Sequence, residues 1–487
     1  MLPAHPHIPF SRRAATLLAC VCALIGPALL TAPGALGAEA LIKSFKAGVL
    51  KDENTSNPTE ADYATQAGSH PVLALTTFEM NTSLSAVDDV RVDLPPGLSV
   101  NPQATPRCEA SGTTLERSCA KNTRVGKAKV KVSTLLGTLG AEGYVYNMVP
   151  PSGAPADFAF EVTINAVLVV ITARTDLVAG MRWYPSGGQP GDYGEYFTIS
   201  GISNELGSKL AISELLFWGA PAEHNEGGAK NEAFLTNPTV CAGPQTTYMS
   251  AQTYEPISTG STSFTTPVGA SGCSSVPFAP SLALSQSTTK RDAPDAPQIT
   301  LSVPQNEEPS KLASSQLKEA LITLPEGLSL NPAAAVGLQA CSEAQFGAGT
   351  NNAISCPAAS EVGTAEVETP VLGEALKGKL YIGEPKSQSP ESGQEYRLFL
   401  AAESSRYGVA LRQIGEVKAN AASGRLSARF AALPQLPFAH LKLSFKSGEH
   451  ALFANPLGCG SASVTSSLSP YSGNPPATPS ASFSVDN

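Results

Sequence analysis

A chain of 487 residues is long enough for roughly two to four domains, and 42% apolar residues suffice for a packed core. Only 15% of residues are charged, while glycine and proline number 42 and 40; this excludes an architecture of long helices and favours short strands joined by turns. The formal net charge is -9, and basic residues group only at Arg12-Arg13 and Lys290-Arg291, so a nucleic-acid partner is excluded for want of clustered phosphate contacts.

Residues 1–40 read as a signal peptide. Arg12 and Arg13 supply the charged region, "AATLLACVCALIGPALL" (Ala14 to Leu30) the apolar core, and Ala38-Glu39-Ala40 a small-residue cleavage site. The alternative is a retained membrane anchor, against which Gly26 and Pro27 interrupt a run near the lower limit for a span. No later segment is apolar enough to cross a membrane as a helix.

The stretch 41–70 is polar and rich in turn residues after one short apolar segment. Strands are then expected at "PVLALTTFEM" (71–80), "DVRVDL" (89–94) and "RVGKAKVKVSTL" (124–135), the last alternating Val with Lys as a sheet with one wet face requires. "DFAFEVTI" (157–164) puts Phe158, Phe160, Val162 and Ile164 on one side. "AVLVVITA" (166–173) is continuously apolar and is expected to be buried more deeply. "MRWYPSGGQPGDYGEYF" (Met181 to Phe197) flanks a Gly-rich loop with Trp183, Tyr184, Tyr193 and Tyr196. Exposed aromatics of this kind stack on sugar faces or anchor a partner protein. The competing reading is an ordinary hairpin with aromatic packing at its base.

Past residue 280 the text recurs. "VDLPPGLSVNPQATPRC" (Val92 to Cys108) returns as "ITLPEGLSLNPAAAVGLQAC" (Ile322 to Cys341), with Leu94, Pro95, Gly97, Leu98, Ser99, Asn101 and Pro102 matching Leu324, Pro325, Gly327, Leu328, Ser329, Asn331 and Pro332 at one constant offset. "CAKNTRVGKAKV" from Cys119 parallels "CPAASEVGTAEV" from Cys356, and "NPTVC" ending at Cys241 parallels "NPLGC" ending at Cys459. The shared residues suit turns, strand ends and bridges: Gly97 and Gly327 a positive φ after proline, and Asn-Pro a strand terminus. Charged residues mostly do not match; Asp88 and Asp89 face Lys318 and Glu319, for example. What is repeated is a scaffold.

Seven cysteines remain after signal removal, and export places them in an oxidising compartment. The repeat pairs Cys108 with Cys119, Cys341 with Cys356, and Cys241 with Cys273. Cys459 is left unpaired, and the expectation is that the second unit is truncated before its matching cysteine. The alternative is a free thiol or an intermolecular bridge. No C-x-x-C occurs in the mature chain, so a zinc site has no support.

Nucleophile-elbow, H-E-x-x-H, Walker A and dinucleotide motifs are all absent. His440 lies in a strand pattern and His224 in a loop beside Glu223 and Glu226, too few ligands for a metal. No catalytic residue, cofactor site or metal site is assigned.

"DLPPGL…NPQATPRC", "C…VG.A.V", "LPQLPFAHLKLSF" and "FANPLGCG…LSPYSG.PPATPS" together resemble a group of large exported actinobacterial tandem-repeat proteins, β-rich and with no assigned activity. The resemblance spans most of residues 41–487 and implies a surface or envelope repeat protein.

The sequence therefore predicts an all-β protein of tandem immunoglobulin-like or β-sandwich modules closed by short disulfides. Unit 1 covers 41–276, with room for two lobes since one sandwich takes ~100 residues, and unit 2 covers 277–487. The expected role is non-enzymatic, structural or adhesive, in a secreted or cell-envelope-associated protein whose partners are cell-wall glycan or surface proteins. The alternative is a carbohydrate-binding module or secreted glycan-active enzyme using the loop 181–197.

Overall fold

In "RVGKAKVKVST", Val125, Ala128, Val130 and Val132 are buried and Lys127, Lys129 and Lys131 between them are exposed, because successive side chains of a strand point to opposite faces. The computed structural model describes residues 39–487 except 54–57, 113, 136, 167–168, 184–192, 227–229, 388–391, 393 and 395. The body of the expected signal peptide and Tyr184 lie outside the described residues. Ala40–Asn487 is one compact unit.

The first repeat supplies β1 (Ile42–Leu50), β2 (Leu73–Met80), β3 (Val87–Asp93), β4 (Ser99–Val100), β5 (Arg124–Thr134), β6 (Gly137–Met148), β7 (Asp157–Ala166), β8 (Val169–Trp183), β9 (Tyr193–Ile199), β10 (Lys209–Trp218), β11 (Leu235–Thr236), β12 (Pro244–Thr253) and β13 (Thr259–Gly269). The second supplies β14 (Ser281–Ser285), β15 (Pro294–Asp295), β16 (Gln298–Ser302), β17 (Leu317–Thr323), β18 (Ser329–Leu330), β19 (Glu361–Glu368), β20 (Leu376–Gly383), β21 (Tyr396–Ser404), β22 (Val409–Ala419), β23 (Leu426–Phe430), β24 (His440–Phe445), β25 (Phe453–Ala454), β26 (Gly460–Pro470) and β27 (Ser480–Val485).

The two repeats share one topology. The first large sheet has eleven strands in the order β1-β2-β10-β5-β6-β7-β8-β9-β3-β12-β13, and the second has eleven in the order β14-β16-β24-β19-β20-β21-β22-β23-β17-β26-β27. Strand for strand, each position is taken by the counterpart from the other repeat. Within each sheet the pairs are antiparallel. The sheets curl: β1 packs beside β13 and β14 beside β27, which brings the two edges of each sheet together and covers them. Each large sheet is one continuous hydrogen-bonded ladder through its eleven strands.

The largest core cluster fills the first sheet, around Phe78, Phe158, Phe160, Leu177, Leu215 and Phe234. The second sheet has its own core around Leu380, Leu400, Phe430 and Tyr407. In the apolar run at 166–173, expected to be deeply buried, Val167 and Leu168 lie outside the described residues, while Val170 departs from the expectation. Ala166 pairs with Val169 at the tip of the β7–β8 hairpin, and Val170 is 64% exposed.

Three disulfides close the loops: Cys108–Cys119, Cys241–Cys273 and Cys341–Cys356. Between Cys341 and Cys356 lies the short helix α2 (Glu343–Phe346), and between Cys108 and Cys119 the single turn α1 (Leu115–Ser118). Ser342 and Gln345 form a capping box on α2, and Gly347 ends it in the left-handed region. Its Phe346 is fully buried against Phe399 and Cys341. Cys459 is free and exposed.

Candidate functional site

The repeated words assemble at one place in each repeat. Gly97 has φ 84° and Gly327 φ 83°, the left-handed backbone expected of them. Each glycine lies against the proline of the other matched motif, Pro238 for Gly97 and Pro456 for Gly327. The strands after the glycines pair with those before the prolines, β4 with β11 and β18 with β25. Asn237 donates to the carbonyls of Ala64 and Gln66, at 3.1 and 3.0 Å. Asn455 does the same to Thr288 and Lys290, at 2.9 and 3.0 Å. "LPxGLS" and "NPxxC" are thus two halves of one clasp that ties the first connecting loop of each repeat to its sheet.

The aromatic stretch sits elsewhere, on β8 and β9 where the repeats meet. Tyr193 is fully buried, and with Met181 it belongs to the core of the second repeat. Its hydroxyl accepts the Ala410 N–H at 3.1 Å, and burial pushes its pKa up to about 12. The Trp183 ring lies 4.7 Å from that of Tyr193. Tyr196 is half-buried under the Arg91 guanidinium, 3.7 Å from the ring centre, and over Gly180, where any Cβ would meet the ring. The expectation of exposed aromatics is therefore corrected for Tyr193: an inter-repeat contact has taken its ring and hydroxyl. Glycan recognition by a ring needs a free face, and Tyr193 has none.

Hydrogen bonds extend this seam. Ala233 N–H donates to the Glu307 carbonyl at 2.7 Å, Ala313 N–H to Gly68 at 2.7 Å and Gly153 N–H to Arg406 at 2.8 Å. Thr239 donates to the Gln316 side chain at 2.9 Å. His70 places Nδ1 3.0 Å from the Leu235 carbonyl and Nε2 3.2 Å from that of Asn306. Burial lowers its pKa, against the pull of those two carbonyls.

Two carboxyls with strongly raised pKa values escaped the sequence reading. Asp157 is pushed up to about 7 by burial and then by Asp176, with Arg174 opposing. Glu195, deep in the seam, is pushed up to about 8 by burial, although the Val100 N–H donates to its carboxyl oxygens at 3.2 and 3.4 Å. Neither lies in a recognisable motif. One signal was available: Glu195 aligns with Leu426, since Leu94 N–H donates to the Glu195 carbonyl as Leu324 N–H donates to that of Leu426.

The histidines have structural company. His224 stacks on Trp218 at 4.4 Å and lies 3.6 Å from Glu53. His440 Nδ1 is 2.8 Å from the Ser302 hydroxyl. Among the described residues no group of three His, Cys, Asp or Glu is placed to hold a metal ion.

No family model matches the chain, and no curated protein matches it. Solved structures with some likeness include the N-terminal domain of the Streptococcus gordonii adhesin Sgo0707, at 9% identity over 91% of each chain with a TM-score of 0.19. The B domain of a biofilm associated protein shows 7% identity, 91% and 85% coverage and a TM-score of 0.17. A partial N-terminal region of the enterococcal surface protein shows 10% identity, 91% and 100% coverage and a TM-score of 0.16. These scores carry no functional argument. The all-β architecture and its disulfides rest on the chain's own structure.

Proposed function

We propose that this chain is an exported, cell-envelope-associated structural module, non-enzymatic, of the kind its motifs resemble among actinobacterial repeat proteins. It holds two like β-units in a fixed mutual arrangement and presents their loops to surface glycan or protein. The observation that carries this reading is the clasp. Turn glycine and Asn staple recur at matching places in both copies, the bridge on the NPxxC cysteine forms in the first copy alone while Cys459 is free, and ionisable residues vary between the copies. The three bridges suit a protein folded in an oxidising compartment. Among the described residues no helix is long and apolar enough to cross a membrane.

The test is fractionation of cells carrying the gene and of a deletion strain, with alkylation mass mapping before reduction. The reading expects the protein in the envelope or medium with its signal removed and three bridges formed, and weaker surface attachment or envelope resistance in the deletion strain. A reduced, signal-bearing protein confined to the cytosol, or a deletion strain with wild-type attachment and resistance, sinks it.

A further inference from the structure

The seam contains a cavity of about 240 Å³ lined by both repeats. A cavity of roughly 150 Å³ walled by Leu, Ile and Phe is enough to take benzene. Phe158, Leu177 and Phe217 line it from the first repeat, and Leu301, Leu411 and Phe430 from the second. The second sheet's inner face is incompletely filled there. Leu433, Leu436, Phe438, Leu441 and Leu443 all line the cavity and all keep accessible surface, although side chains of this type facing inward normally close-pack. An apolar cavity of this size stays dry and favours apolar guests.

Two polar side chains from opposite repeats, Glu195 and Gln413, interrupt the largely hydrocarbon wall. Glu195 lies deep in the molecule yet is not fully covered, because its remaining surface faces the cavity. Held protonated by burial, it offers an O–H donor as well as an acceptor. Gln413, from the second repeat, lines the same space, and its Nε2 has no partner among the described residues. A buried amide without a partner is costly and calls for one. The fold does not require the carboxyl, since Leu426 occupies the equivalent place in the second repeat.

We propose that the inter-repeat cavity is a binding site for a small apolar chain with one hydrogen-bonding head, of the fatty-acid or fatty-alcohol class, the head meeting Glu195 and the chain lying along the inner face of the second sheet. The site exists only where two repeats pack, and it is independent of the structural role proposed above. A structural module with an empty cavity and a lipid-loaded protein with no envelope role are both possible outcomes.

The oxidised protein is titrated with dodecanoic acid, dodecanol and dodecane, followed by native mass spectrometry and by displacement of a fluorescent fatty acid. The acid and the alcohol are expected to bind one per chain. Glu195→Leu, which copies the second repeat's own solution, is expected to weaken both by roughly tenfold and to leave dodecane unchanged. Leu436→Trp, which fills the space, is expected to abolish all binding. Gln413→Leu gives a second polar deletion should Glu195→Leu fail to fold, and a loss for the acid is expected there too. Absence of binding by the wild-type protein, or head-group probes held equally well by every folded variant, overturns the proposal.

Discussion

Gly97 and Gly327 show how a single residue holds the clasp. Their φ values of 84° and 83° are unfavourable for any side chain, and an added Cβ would stand 3.2 Å from the ring of Pro238 or Pro456. Gly97→Ala or Gly327→Ala is expected to cost about 1–2 kcal/mol, read as a lower urea midpoint with unchanged slope; unchanged midpoints would remove the turn role. At the same scale, buried titratable groups shape the pH response, with Asp157, Glu195 and His70 among them. Asp157 and Glu195 have folded pKa values of about 7 and about 8, above their ordinary 3.8 and 4.5. The folded chain keeps protons that the unfolded chain has released, so their stabilising share is complete below about pH 4 and is lost as pH rises through about 7 and about 8. His70 acts in the opposite sense. Its folded value lies below 6.5, so its share is present above that pH and is lost as the solution is acidified. Urea melts are expected to show stability falling from pH 5 to pH 9, by several kcal/mol. The double change Asp157→Asn with Glu195→Leu is expected to flatten that fall; a profile that rises with pH in the wild type contradicts the assignment.

At the scale of elements, the bridges and the close strand contacts do the work that charge does not. Gly126 and Gly363, the glycine of each "VG", sit at a register shift where an added Cβ would run into the backbone of the neighbouring strand, at Leu216 and Ser444. The strand pair closes there only around a glycine, which is why the motif is repeated without its flanking charges. The Cys341–Cys356 bridge encloses α2, and its Cys341 packs on Phe346. Replacing both cysteines with Ser is expected to cost about 3 kcal/mol, with α2 losing amide protection first in hydrogen exchange. Protection of α2 equal to the wild type would place its stability in packing alone. Strand alternation made β5 and β7 legible in advance, because period-two burial is written locally. The exposure at the β7–β8 tip was not legible, because hydropathy does not report how far a hairpin reaches beyond its sheet.

At the scale of the whole molecule the repeats behave as one body joined through Tyr193. A seam with a buried aromatic, a shared core cluster and backbone hydrogen bonds should not open independently of the units it joins. Calorimetry is expected to show one transition in the wild type. Tyr193→Ala, which removes a buried ring, is expected to cost about 3–5 kcal/mol and to split that transition in two. Tyr193→Phe, which removes only the hydroxyl contact to Ala410, is expected to cost about 1 kcal/mol and keep it single. Two transitions in the wild type would make the seam a loose contact.

The sequence by itself determined the all-β class, the clasp residues and the three cysteine pairs. Each follows from strand alternation, positive φ after proline, or the matching of one repeat against the other. Only the tertiary structure decided that each repeat builds one large sheet of eleven strands in the same order. It alone placed Tyr193 in a core rather than on a surface, and gathered Glu195, Gln413 and the leucines of 433–443 around one cavity. Those outcomes depend on contacts between residues hundreds of positions apart, and neither hydropathy nor spacing encodes which faces of the two repeats meet.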